Sequence, residues 1–132
     1  MSEISVRRLA LGVLLAGFEA TASPPSWLEG LLGDGLGGVT LFGRNVIDDD
    51  PVEGLAALAS QLRRERPDLI IAIDEEGGDV TRLETRTGSM TLGAASLGVI
   101  DDVEVTRRSA SLLASRLAAG GINVNFAPVA DL

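Results

Sequence analysis

The run Ile70-Ile71-Ala72-Ile73 stops at three consecutive acids, Asp74-Glu75-Glu76, and two glycines, Gly77-Gly78, with Arg82 eight residues beyond the first acid. A short apolar run rich in β-branched residues reads as a buried strand, and a Gly-Gly pair frees the backbone directly after it. Buried parallel strands of α/β proteins carry their binding and catalytic groups at their carboxyl ends. Asp74 therefore stands at a functional edge.

The flanking sequence alternates strand and helix patterns. Leu9 to Phe18 is expected as the first strand, ending in Glu19, and Pro24-Pro25 opens a short helix through Trp27, Leu28, Leu31 and Leu32. After a turn from Gly33 to Gly38, residues 38–42 make the second strand, which ends at Gly43-Arg44-Asn45. One of Asp48, Asp49 and Asp50 caps a helix that begins near Pro51, and the others favour its positive end. The apolar face of that helix runs Val52, Leu55, Ala56, Ala59 and Leu62, and Pro67 ends it. Leu69 to Ile73 is the third strand, followed by a long polar segment from Asp74 to about Ile100. Loops of that length are usually functional. Asp101 with Glu104 resembles a capping box for a helix presenting Val103, Ala110, Leu113, Ala114 and Leu117, which Gly120-Gly121 stops. Ile122 to Val129 is the fourth strand.

Four strands joined by three helices in strict alternation demand a parallel sheet with right-handed crossovers. A (β/α)8 barrel needs about 250 residues. The expected fold is therefore α/β, the first half of such a barrel, with residues 1–132 forming the truncated amino-terminal part of one barrel domain. A half-barrel leaves two unpaired sheet edges and an uncovered apolar surface.

Composition narrows the chemistry. All 11 basic residues are arginine, and histidine, lysine, cysteine and tyrosine are absent. Thiolate nucleophiles, imidazole bases, disulfides and zinc sites are thereby removed, which leaves carboxylates, hydroxyls and arginines. A net charge of −8 argues against a nucleic-acid partner. Arg7-Arg8, the apolar stretch after it and Ala20-Thr21-Ala22 imitate a signal peptide, but Glu3, Glu19, Gly12 and Gly17 favour a buried strand instead. No apolar run reaches the length of about 18 residues that a membrane span requires, so no membrane span is expected.

Three motifs suggest ligands. Gly33-Asp34-Gly35-Leu36-Gly37-Gly38 satisfies G-x-G-x-x-G, yet it closes a helix and precedes a strand, the reverse of a dinucleotide fingerprint. Asp48-Asp49-Asp50 lacks the alternating ligands of a calcium loop and reads as a solvated cap. Asp74 is the serious candidate. An acidic strand end held by backbone amides and solvent is the plainer alternative. In the functional reading Asp74 accepts from two vicinal hydroxyls while Arg82 donates to a neighbouring oxygen, an arrangement that suits a sugar.

At these residues the chain resembles the amino-terminal barrel domain of glycoside hydrolase family 3, within it the β-N-acetylhexosaminidase branch. The branch pattern Asp-x-Glu-Gly-Gly-x-Val-x-Arg is matched from Asp74 to Arg82. Supporting matches are Gly38-Val39-Thr40-Leu41-Phe42-Gly43-Arg44-Asn45 and the segment from Gly121 to Asp131. The resemblance implies that Asp74 and Arg82 bind hydroxyls of a terminal N-acetylglucosamine. It also implies that Glu75 is a permissive position, that Glu76 shapes the loop, and that Glu19 and Asp131 share the same rim. Asp79 stands where arginine is usual and adds negative charge beside the site. The family's retaining mechanism uses an aspartate nucleophile, and this branch adds an Asp-His acid/base pair and a Lys-His-x-Pro-Gly-His-Gly segment. None of these occurs in a chain without histidine or lysine.

The resemblance thus implies a complete cytoplasmic protein that releases terminal β-linked N-acetylglucosamine, acting on cell-wall muropeptide sugars without metal or organic cofactor. Residues 1–132 hold sugar-binding groups and no catalytic residue, and are expected to be inactive alone. A β-glucosidase of the same family is one alternative. A non-catalytic carbohydrate-binding or assembly module is the other, since open edges allow pairing with a second copy or a partner chain. The sequence leaves the oligomeric state open.

Overall fold

A computed structural model of the chain describes residues 5–47 and 49–130. The elements are α1 (Val6–Gly12), β1 (Leu15–Gly17), α2 (Ser26–Asp34), β2 (Gly38–Leu41), α3 (Pro51–Glu65), β3 (Ile70–Ile73), α4 (Ala94–Ile100), α5 (Val103–Ala119) and β4 (Val124–Asn125). All four strands are parallel and lie in the order β1-β2-β3-β4. Sequential order without reversal is that of a barrel wall, whereas a doubly wound sheet changes direction at a switch point. No described helix is long and apolar enough to cross a membrane.

The register decides which side chains enter the core. Val39 lies beside Ile71 and Leu41 beside Ile73, and all four are fully buried. They cluster with Leu28 and Leu32 of α2, Leu55, Leu58 and Leu62 of α3, and Leu117 of α5. Side chains alternate between the faces of a strand. The opposite face of β2 and β3 therefore carries Gly38, Thr40 and Ala72, and Asp74 follows in the same phase.

Several local expectations hold in detail. The Asp50 carboxylate caps α3 by accepting the Glu53 N–H at 3.1 Å, with Pro51 in the first turn and Arg63 and Arg64 in the last. Asp48 lies outside the described residues. The glycine-rich stretch does close a helix and lead into a strand: Gly35 ends α2 in the left-handed region at φ +107°, and β2 starts at Gly38.

Other expectations are corrected. Leu9 to Phe18 is not one strand: Ser5 caps α1 by accepting the Arg8 N–H, and only Leu15–Gly17 pair with β2. A short apolar run does not by itself distinguish a strand from a helix, and here the serine cap decides. Among the described residues five α-helices occur, beside a 3-10 turn at Gly43–Asn45, where three connecting helices were expected, because α1 lies within the supposed first strand and α4 within the supposed long loop. Asp101 does not cap α5. It takes φ +51° at the end of α4, and Asp102 supplies the cap by accepting the N–H groups of Glu104 and Val105. The apolar face of α5 is only partly covered, with Leu117 buried, Leu113 half-buried and Val103 exposed.

The fourth strand shrinks from eight residues to two, and its asparagines explain how it still holds. Asn123 Oδ1 accepts the Ile71 N–H at 2.7 Å while its Nδ2 donates to the Leu69 carbonyl at 2.9 Å. Asn125 repeats the device at Glu75, accepting from its N–H at 2.9 Å and donating to its carbonyl at 2.8 Å. Side-chain amides thus stand in for ladder bonds beyond the regular pairing. Each such hydrogen bond contributes about 0.5–1.5 kcal/mol, so Asn125→Ala is expected to cost about 1–3 kcal/mol. Urea unfolding of the variant, with the midpoint lowered and the slope unchanged, is the check.

Candidate active site

Asp74 leaves the carboxyl end of β3, and Arg82 returns to it eight residues later. Their side chains meet at Arg82 Nη2 to Asp74 Oδ2, 3.4 Å apart, with 29% and 31% of the side chains exposed. The separation is long for a charge-assisted hydrogen bond. Both groups thus keep polar atoms and solvent access for a third partner. In this partly exposed setting the ion pair itself contributes little to stability.

The turn between them requires its glycines. Gly77 and Gly78 adopt φ +82° and +58°, and Val80 closes the turn by donating to the Gly77 carbonyl at 3.3 Å while accepting from Glu76 N–H at 3.0 Å. A Cβ on Gly77 would lie 2.8 Å from the Leu92 carbonyl oxygen, and one on Gly78 would lie 2.9 Å from the Gly93 backbone. Positive φ and close backbone approach both call for glycine. Asp79 is exposed in this turn.

The segment expected as a long polar loop is internally bonded. Gly78 N–H donates to the Thr91 carbonyl at 2.9 Å, and Thr81 Oγ1 accepts the Glu84 N–H at 3.1 Å. Glu84 accepts the Met90 N–H through Oε2 and forms an ion pair through Oε1 with Arg116 of α5, both side chains largely buried. These contacts fix the loop against the helix layer.

Glu75 corrects the reading of the motif. It is fully buried. Its Oε2 accepts the N–H groups of Arg82 at 2.6 Å and Leu83 at 3.0 Å. The supposedly permissive position is therefore the one that shapes the loop. Glu76, to which loop shaping was assigned, contributes a backbone bond and lines a groove. The missed signal was phase: Glu75 continues the buried Ile71 and Ile73, whereas Asp74 continues the opposite face.

Asn45 was also missed. Its fully buried amide accepts the Phe42 N–H and donates to the carbonyls of Phe18 and Ala20, tying the chain after β1 to the end of β2. Arg44 donates through Nε to the Phe18 carbonyl at 3.1 Å and stacks over Phe42, 4.4 Å from the ring centre. Glu19 is exposed just beyond. Asp131, expected on the same rim, lies outside the described residues.

A groove of about 660 Å³ runs between α4, α5 and the segment after β4, lined by Leu97, Leu113, Leu117 and Pro128 among others. Neither Asp74 nor Arg82 lines it. It is the partly covered apolar face of α5. Among the described residues, no group of three or more acidic side chains is arranged to hold a metal ion.

Comparison with known proteins places this geometry. The family model described as "Glycosyl hydrolase family 3 N terminal domain" matches residues 21–132. A protein named beta-hexosaminidase from Hydrogenovibrio crunogenus is 33% identical over all of this chain and 38% of its own length. Another of that name, from Alkalilimnicola ehrlichii, is 34% identical over 94% of the chain and 36% of its own length. A glycoside hydrolase family 3 beta-N-acetylglucosaminidase from a Paenibacillus species superposes with a TM-score of 0.82 at 32% identity, over 94% of this chain and 24% of that one. NagZ from Neisseria gonorrhoeae, solved in complex with N-trifluoroacetyl-D-glucosamine, superposes with a TM-score of 0.69 at 31% identity, over 90% of this chain and 36% of that one. The four-stranded parallel arc is thus part of a (β/α)8 barrel. The chain spans little more than one third of the curated relatives it matches, and it belongs to the glycosyl hydrolase family 3 N-terminal domain family.

Proposed function

We propose that these residues form the sugar-binding part of a β-N-acetylglucosaminidase, which releases terminal β-linked N-acetylglucosamine with retention of configuration. The observation that carries this reading is the partly exposed Asp74–Arg82 pair at the carboxyl end of a central strand. The carboxylate offers acceptors for vicinal hydroxyls, the guanidinium offers donors for an adjacent oxygen, and each offsets the other's charge. The names of the matched relatives support the same sugar. Muropeptide sugars in the cytoplasm are the substrate pool in this reading. Nucleophile and acid/base groups come from outside residues 1–132, so those residues alone turn over no substrate.

The test compares an aryl β-N-acetylglucosaminide with the matching aryl β-glucoside, using the complete gene product. A site whose polar groups are matched to one substrate rejects an analogue lacking the complementary group by large factors. We expect kcat/KM for the N-acetylglucosaminide to be at least about 100-fold higher. Equal values would make the protein a broader β-glucosidase. Turnover of neither, from a discrete dimer, would favour the non-catalytic module. Turnover by purified residues 1–132 would overturn their assignment as purely binding.

A further inference from the structure

Behind the Asp74–Arg82 pair lies the second carboxylate, that of Glu75. At zero solvent exposure a carboxylate is an unfavourable occupant unless it meets strong donors. Glu75 meets two, the backbone N–H groups of Arg82 and Leu83, and both bind the same oxygen, Oε2. Its Oε1 is buried with no hydrogen-bond partner among the described residues. The side chain therefore acts through one oxygen, on one peptide segment.

That segment is the one that carries the guanidinium. Arg82 donates its own N–H to Glu75 and its Nη2 to Asp74, so the two neighbouring acids hold opposite ends of one residue. Glu75 in turn is held by its backbone, since the Asn125 amide binds both its N–H and its carbonyl. A continuous chain of bonds thus runs from β4 through Asn125 and Glu75 to Arg82. Arg82 Nε is itself buried and without a hydrogen-bond partner among the described residues, so packing restrains the base of the guanidinium while its Nη2 reaches Asp74.

We propose that Glu75 is a positioning residue for Arg82: its buried carboxylate fixes the backbone at Arg82 and thereby aims the guanidinium at the place beside Asp74 where a sugar oxygen binds. The proposal rests on the reading of Asp74 and Arg82 as the sugar-binding pair. Acceptor capacity, rather than negative charge, is what the geometry requires. An amide oxygen can accept the same two N–H groups.

The test uses the complete gene product with Glu75→Ala, Glu75→Gln, Arg82→Ala and the double variant Glu75→Ala/Arg82→Ala. Misplacement of a binding group by about 1 Å can cost about 100-fold in rate. We expect a loss of that order in kcat/KM for Glu75→Ala and rescue to within about threefold of wild type for Glu75→Gln. The double variant should be no worse than Arg82→Ala alone, because positioning matters only while the guanidinium is present. Effects that multiply would overturn the proposal.

A second readout needs no substrate. The Arg82 Nε–H resonance, identified by its loss in Arg82→Lys, should exchange slowly in wild type and in Glu75→Gln and rapidly in Glu75→Ala. Retained protection in Glu75→Ala would overturn the positioning role. If wild type hydrolyses no N-acetylglucosaminide, the proposed function fails, and the resonance alone decides whether Glu75 orients Arg82. Should Glu75→Ala not fold, Glu75→Leu fills the buried space without an acceptor and takes its place. Unfolding of both, beside a folded Glu75→Gln protein, would make Glu75 a support of the whole fold and overturn the proposal.

Discussion

Replacing Asp74 by alanine in the complete gene product should lower kcat/KM for an aryl β-N-acetylglucosaminide by about 10²–10⁴-fold. The magnitude follows from the bonds lost. A carboxylate accepting from two hydroxyls contributes about 1.5–3 kcal/mol per bond, and each 1.36 kcal/mol is about tenfold in rate. The loss should fall on kcat/KM because the bonds count toward transition-state binding relative to the free enzyme and substrate. Stability should hardly change, since Asp74 is partly exposed and its side chain meets Arg82 only at the long distance of 3.4 Å. Asp74→Asn keeps an acceptor oxygen and should lose less. An unchanged kcat/KM for Asp74→Ala would remove Asp74 from the site and leave it as a solvated strand end.

The contrast between Asp74 and Glu75 shows how far a sequence of this kind can be read. Strand β3 was legible from its apolar run, and the acid at its abrupt end, Asp74, meets Arg82 in the structure. The motif pattern named Asp74 and Arg82 but gave Glu75 no task, because a pattern marks which residues recur and not which way they point. Strand phase supplies that information, and it separates an acid facing the open side of the sheet from one facing the helix layer. Asn123 and Asn125 were hidden for a different reason. Their alternation with Ile122, Val124 and Phe126 resembles an ordinary strand, while their amides in fact replace ladder bonds across to β3. The α4 helix escaped notice because seven residues, two of them alanine and one glycine, give too little periodicity to stand out from a loop.

Helix α3 offers the sharpest test of the packing, because the expected face and the observed face differ at three positions, Val52, Ala56 and Leu58. Helical spacing selected Val52, Leu55, Ala56, Ala59 and Leu62. The structure buries Leu55, Leu58, Ala59 and Leu62, with Val52 and Ala56 only half-buried. Leu58 is fully buried in the cluster that joins α2, α3 and the sheet. The buried residues Leu55, Leu58, Ala59 and Leu62 form one stripe at i, i+3, i+4 and i+7, rotated toward Leu58 from the expected face, on a helix that packs against both α2 and α5. Leu58→Ala should therefore destabilise the protein by about 2–5 kcal/mol, the lost transfer energy plus the cavity left in a well-packed core. Val52→Ala, at the rim of the same helix, should cost less than about 1 kcal/mol, because its half-buried side chain is already near solvent. Denaturant unfolding of both variants in the complete gene product measures the difference directly. Equal losses would mean that Val52 is as deeply packed as Leu58, and the rotation of α3 between its two helical neighbours would then be wrong.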